Sequence, residues 1–104
     1  MGFPLRSPYA ASKWAVIGIT KTLAMELGKY KIRVNAICPG YIITDLNRSF
    51  LESDKSFKLK SKIPLDRFAS CDELLPSLKM LVDPYNSYMT GSIITIDGGM
   101  NSTL

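Results

Sequence analysis

The sequence predicts an α/β fold, the C-terminal part of a doubly wound domain with a parallel sheet, in the order helix, strand, helices, strand. Three observations lead there. Two short runs rich in β-branched residues, Ile32 to Cys38 and Ser92 to Ile96, each stop at a turn former: Pro39-Gly40 and Asp97-Gly98-Gly99. A helical pattern lies between them, so the strands are expected to be parallel with a right-handed crossover. A long helical stretch precedes both, with so little polar face that it must pack on two sides. Two strands cannot close a parallel sheet, and one sheet edge is expected to be open and apolar.

The first helix is expected from Pro8 to Leu27. Ser7 is a favoured N-cap and Pro8 a favoured first helical residue. Trp14, Ile17, Ala24 and Leu27 fall near helical spacing, and Ala11, Ala15 and Gly18 make a second, small-residue stripe. Gly28 is the expected residue just past the helix end. Residues 1–6 form a short approach to it. Residues 46–62 mix Ser, Lys and acidic residues with scattered Leu and Phe, and predict one or two short helices and a candidate mobile lid. Ser70 and Glu73 have capping-box spacing, which starts a helix that runs to about Val82. Its expected buried side holds Leu74, Leu75, Leu78, Leu81 and Val82. Pro76 lies inside it and should bend the helix or loosen its first turn.

At 104 residues the chain is one small domain or part of one, with 46% hydrophobic and 21% charged residues, as in ordinary globular proteins. A net charge of +4 permits an anionic ligand without pointing to nucleic acid, and no nucleic-acid motif is present. There is no His, which excludes His-based metal sites and Ser-His or Cys-His triads. Cys38 and Cys71 lie far apart and read as reduced thiols. No run is long enough to span a membrane and no signal-peptide core is seen, so a cytoplasmic protein without membrane contact is expected. The basic run Lys55, Lys58, Lys60 and Lys62 reads as a solvated helix face; the alternative is a contact for a substrate's phosphate tail.

Tyr9 and Lys13 carry the chemistry. Spaced i and i+4, they share one helix face. An ammonium beside a phenol favours the phenolate and lowers the tyrosine pKa from about 10 toward a range useful for proton transfer. With five Tyr among 104 residues and as many Lys as this chain has, roughly 0.4 such pairs arise by chance, so the pair alone does not decide.

In order along the chain, Tyr9-x-x-x-Lys13, Arg33-Val34-Asn35-Ala36-Ile37-Cys38-Pro39-Gly40, Ile42, Thr44, Pro64-Leu65-x-Arg67-Phe68, Thr90-Gly91 and Asp97-Gly98-Gly99 resemble the C-terminal part of the short-chain dehydrogenase/reductase family. The resemblance covers residues 8 to 99. It implies a Rossmann-like fold and reversible NAD- or NADP-linked hydride transfer between a small-molecule carbonyl and an alcohol. Tyr9 would be the general acid in reduction and the base in oxidation. Lys13 would hold the tyrosine pKa down and bond the nicotinamide ribose. Pro39, Gly40, Ile42 and Thr44 would seat the nicotinamide, while Tyr41 and residues 45–62 would border the substrate. The first helix would make a homo-oligomer or meet a full-length family member.

The resemblance also implies parts this sequence does not contain: a Gly-rich turn for the pyrophosphate, an Asn-Ala-Gly segment and a Ser before the Tyr. The expectation is therefore that residues 1–104 are the C-terminal portion of one nucleotide-binding domain, a fragment without the N-terminal cofactor-binding half, inactive alone. The alternative is a non-catalytic module that docks onto an intact dehydrogenase. Asp66 stands where the family usually has Gly, Cys71 where Pro is common, and Pro76 where a small helix residue is usual.

Overall fold

The computed structural model describes residues 7–101, with side chains from Ala10 onward. The expected approach over residues 1–6 and the capping role of the Ser7 side chain lie outside the described residues. Helix α1 spans Ser7–Leu27. The α-helix ends at Leu27, as expected, but Gly28 is not the left-handed residue that closes it. A 3-10 turn, Gly28–Tyr30, follows, and the left-handed residue that ends it is Lys31, at φ 64°. The Lys31 N–H donates to the Gly28 carbonyl at 2.9 Å, the kind of bond by which left-handed caps satisfy helix-end carbonyls.

Strand β1 is Ala36–Pro39 and strand β2 is Ile93–Ile96. They pair in a two-stranded sheet. The Ala36 N–H donates to the Ser92 carbonyl and the Gly40 N–H to the Ile96 carbonyl, both at 2.9 Å. Both partners advance by the same number of residues, so the strands are parallel, as expected. β1 is shorter than the expected Ile32–Cys38. Residues 33–35 use side chains in place of a regular ladder: Arg33 Nη1 and Asn35 Nδ2 both donate to the Met89 carbonyl, at 3.1 and 3.0 Å. The Val34 N–H donates to Thr90 Oγ1 at 3.0 Å.

The chain divides into two compact units, Met1–Ala36 with Asp83–Ile94, and Ile37–Val82 with Thr95–Leu104. In the first, the segment before β2 lies along α1. Ala24 and Thr20 are the buried residues of that helix among those described. A Cβ on Gly91, at φ +73°, would meet the Ala24 Cβ at 3.4 Å, and Lys21 Nζ donates to the Gly91 carbonyl at 3.1 Å. Asn35 closes the arrangement by accepting the Ser92 N–H at 2.9 Å. Trp14, expected in the packed stripe, is 70% exposed.

The second unit has its own core. Leu51, Ile63 and Phe68 are buried together, with Tyr41, Ile43, Leu59 and Met100 packed around them. Residues 46–62 form two single-turn helices, α2 (Arg48–Leu51) and α3 (Phe57–Lys60), joined by a 3-10 turn at Asp54–Ser56. This segment, expected as a lid, is tied down by Leu51 and by buried Ser56, whose Oγ donates to the Leu51 carbonyl at 2.8 Å. After Ser70 a 3-10 turn, Cys71–Leu74, opens into α4, Leu75–Val82. Pro76 therefore sits in the first α-helical turn, where its missing N–H has no helical partner to lose. The loosened first turn is what the structure shows. The expected buried side is not: Leu75, Leu78 and Val82 are exposed. A sheet of two strands offers too little surface to cover them.

Candidate active site

Tyr9 and Lys13 occupy consecutive turns of α1. The Tyr9 side chain lies outside the described residues. Lys13 is half-buried and begins a stripe that continues through Ile17, Thr20, Ala24 and Leu27, the less exposed face of α1.

Pro39, Gly40, Tyr41, Ile42 and Thr44 lie at and beyond the C-terminal end of β1, inside the second unit. Gly40 is forced by packing. A Cβ there would come within 2.8 Å of the Asp97 Cα and Cβ, nearer than real Cβ contacts come. Asp97 is fixed in turn: Oδ1 accepts the Gly99 N–H at 2.9 Å, and Oδ2 accepts the Asn101 N–H at 3.1 Å.

Beyond Gly40 the chain runs extended beside Ala69, in a single parallel bridge between Ile42 and Ala69. The Ala69 N–H donates to the Tyr41 carbonyl at 3.1 Å, and the Ile43 N–H to the Ala69 carbonyl at 2.8 Å. Backbone groups alternate along an extended chain, so those of Ile42 and Thr44 face the opposite edge. There Asn47 reaches back. Its Nδ2 donates to the Ile42 carbonyl at 2.9 Å and its Oδ1 accepts the Thr44 N–H at 2.7 Å. The Ile42 N–H has no partner among the described residues, and Thr44 is exposed. An open N–H and the hydroxyl of an exposed Thr, two residues apart, fit a primary amide, which both donates and accepts. These groups therefore suit the nicotinamide end of a dinucleotide. The Gly-rich turn that would hold its pyrophosphate is not in this sequence.

Tyr41 is placed differently from the other residues. Its ring meets Phe68 edge-on, with centroids 6.1 Å apart and planes at 78°, so packing takes much of its surface. Phe68 also borders an open cleft of about 620 Å³, with Ile43, Leu51, Phe57, Lys60 and Arg67, while Tyr41 is not in its lining. Lys55, Lys58, Lys60 and Lys62 are all exposed. Asn47 was not singled out in the sequence. The available signal is an Asn just before a helix start: it occupies the N-cap position of α2, yet its side chain makes no capping bond there.

Residues 1–101 match the model of a family described as enoyl-(acyl carrier protein) reductase. Over 99 residues the chain is 44% identical to the 3-oxoacyl-[acyl-carrier-protein] reductase FabG of Thermotoga maritima, covering 95% of this chain and 40% of that protein. The chain belongs to the short-chain dehydrogenase/reductase family. A short-chain dehydrogenase family protein from Francisella tularensis superposes with a TM-score of 0.85 at 35% identity, over 99% of this chain and 47% of the other. A 4-hydroxyisoleucine dehydrogenase solved with NADH superposes at 0.84 and 36% identity, over 92% of this chain and 40% of its own. The chain thus spans about two fifths of the length of the curated relative it matches. Its fold is part of the Rossmann α/β fold, and the cofactor class of the family is NAD or NADP. Among the described residues no helix is long and apolar enough to cross a membrane.

Proposed function

We propose that this chain carries the proton-transfer and nicotinamide-seating part of an NAD(P)-linked oxidoreductase that interconverts a carbonyl and an alcohol. The observation that carries the reading is the 39–44 segment of a family member, ending β1 with an Ile42 N–H that has no partner among the described residues and an exposed Thr44. When bound, the dinucleotide supplies or accepts the hydride. Tyr9 gives the proton to the carbonyl oxygen in reduction and takes it back in oxidation. Lys13, one helical turn on, favours the phenolate and bonds the nicotinamide ribose. Pro39, Gly40, Ile42 and Thr44 hold the nicotinamide, and Tyr41 and the cleft beside Phe68 border the substrate. The relatives' names pair a carrier-bound 3-oxoacyl reductase with a 4-hydroxyisoleucine dehydrogenase, so the class proposed here is the carbonyl/alcohol pair itself.

Residues 1–104 are proposed to be the C-terminal portion of one such domain, cytoplasmic in location, with no measurable turnover alone and very weak cofactor affinity. The test is titration of the ¹⁵N-labelled chain with NADH and with NADPH. Amide shifts centred on residues 40–44, at millimolar ligand only, are expected. Tight binding, or shifts that avoid this segment, overturns the reading.

A second reading is favoured by α1, on which Trp14 and Met25 are 70% and 85% exposed and share a face, and Ile19 is exposed on another. In it the chain docks through this helix onto a second copy or a full-length family member, without catalysis. Sedimentation of the purified chain tests it: a folded monomer that also fails to co-purify with a full-length dehydrogenase counts against docking.

A further inference from the structure

Asn47 stands where helix-capping side chains are favoured. It precedes α2, and the Leu51 N–H donates to its carbonyl at 2.9 Å. Its side chain does not cap. It spans the edge of the neighbouring extended segment, giving one bond to the Ile42 carbonyl and taking one from the Thr44 N–H. With Ala69 bonded to Tyr41 and Ile43 on the other edge, residues 41–44 are held from both sides. A loop with few bonds would have to be ordered by the ligand, at an entropic cost for every residue fixed. Here that ordering is already done by the chain. The Ile42 carbonyl keeps a second lone pair after accepting from Asn47, so the brace does not exhaust the edge it supports.

We propose that Asn47 is a positioning residue: its carboxamide braces Ile42 and Thr44 so that the open Ile42 N–H and the Thr44 hydroxyl are preset for the amide of a nicotinamide ring. This rests on the assignment of residues 39–44 to the nicotinamide. Asn47 touches neither hydride nor proton; it acts through the backbone it holds.

Two measurements on the full-length labelled chain separate the brace from that assignment. The first needs no ligand. In Asn47→Ala the Thr44 amide should exchange ~10-fold faster, the scale of one lost net hydrogen bond. In Asn47→Asp, which keeps an acceptor and remains a good N-cap residue, Thr44 should stay protected while the bond to the Ile42 carbonyl is lost. Unchanged Thr44 exchange in Asn47→Ala overturns the brace. The second titrates millimolar NADH, with ADP-ribose as the control that lacks the nicotinamide. The Ile42 amide should shift with NADH and not with ADP-ribose, and the shift should fall at least twofold in both variants. An equal shift in wild type and variants overturns the positioning role. A larger one in Asn47→Ala also overturns it, because the side chain would then compete with the ligand. An Ile42 amide that ignores NADH in the wild type overturns the nicotinamide assignment and the role with it, while Thr44 exchange still decides whether the brace exists.

Discussion

Arg67 grips Glu73 with both guanidinium nitrogens, Nη1 to Oε1 at 2.8 Å and Nη2 to Oε2 at 3.0 Å. The same carboxylate accepts the Ser70 N–H at 3.4 Å, so one side chain joins the 63–68 loop to the start of the helical segment leading into α4. The Arg67 bond, with that of Ser70 behind it, holds the Glu73 carboxyl below its ordinary range. A carboxyl whose pKa is depressed on folding stabilises fully above its unfolded value, near 4.3, and loses that contribution as pH falls through the folded value. Melting curves of wild type and Glu73→Gln should therefore differ at pH 6 and converge on acidification below about pH 4. The pair is solvent-exposed, so the difference should also shrink at high salt.

Asp66 adopts a left-handed backbone conformation, at φ 57°. That conformation costs an L-residue roughly 1–2 kcal/mol, with Asp at the lower end, and Gly almost nothing. Asp66→Gly should stabilise the chain by about 0.5 kcal/mol after the added freedom of the unfolded state is subtracted. Denaturant midpoints measure it.

Gly40 has the opposite sensitivity. The atoms a Cβ would strike are the Asp97 Cα and Cβ, held in place by β2 and by the Asp97 turn. Gly40→Ala should cost about 1–3 kcal/mol, read as a lower denaturant midpoint at unchanged slope.

The assigned proton donor can be tested in a chimera. Residues 1–101, which match along the family model, replace the matching part of the Thermotoga maritima reductase. If the chimera turns over, Tyr9→Phe should lower kcat by about 10²–10⁴ with little change in dinucleotide affinity, whereas Lys13→Met should weaken both.

Much of this was legible in the sequence because local chemistry decides it. Pro39-Gly40 ended a strand, Ser70 and Glu73 opened a helical segment, and Pro76 marked its loosened first turn. The misreadings have a different origin. β1 is short because Arg33 and Asn35 reach the Met89 carbonyl, more than fifty residues away in sequence, and no local pattern reports such a bond. The α-helix does end at Leu27, but the closing role expected of Gly28 falls to Lys31, after a 3-10 turn. The apolar faces of α1 and α4 were correct as patterns. Pattern shows that a face is apolar, and only the tertiary structure shows whether anything covers it. The bracing role of Asn47 carries no local mark in the sequence, because its partners are backbone groups of residues 42 and 44 brought to it by the path of the chain.

The parallel pairing of β1 with β2 has a consequence for synthesis. The Val34 N–H finds its partner at Thr90, 56 residues later. A ribosome must therefore make every residue through α4 before β1 and β2 can pair. Closing so long a loop slows folding much more than it weakens the finished sheet.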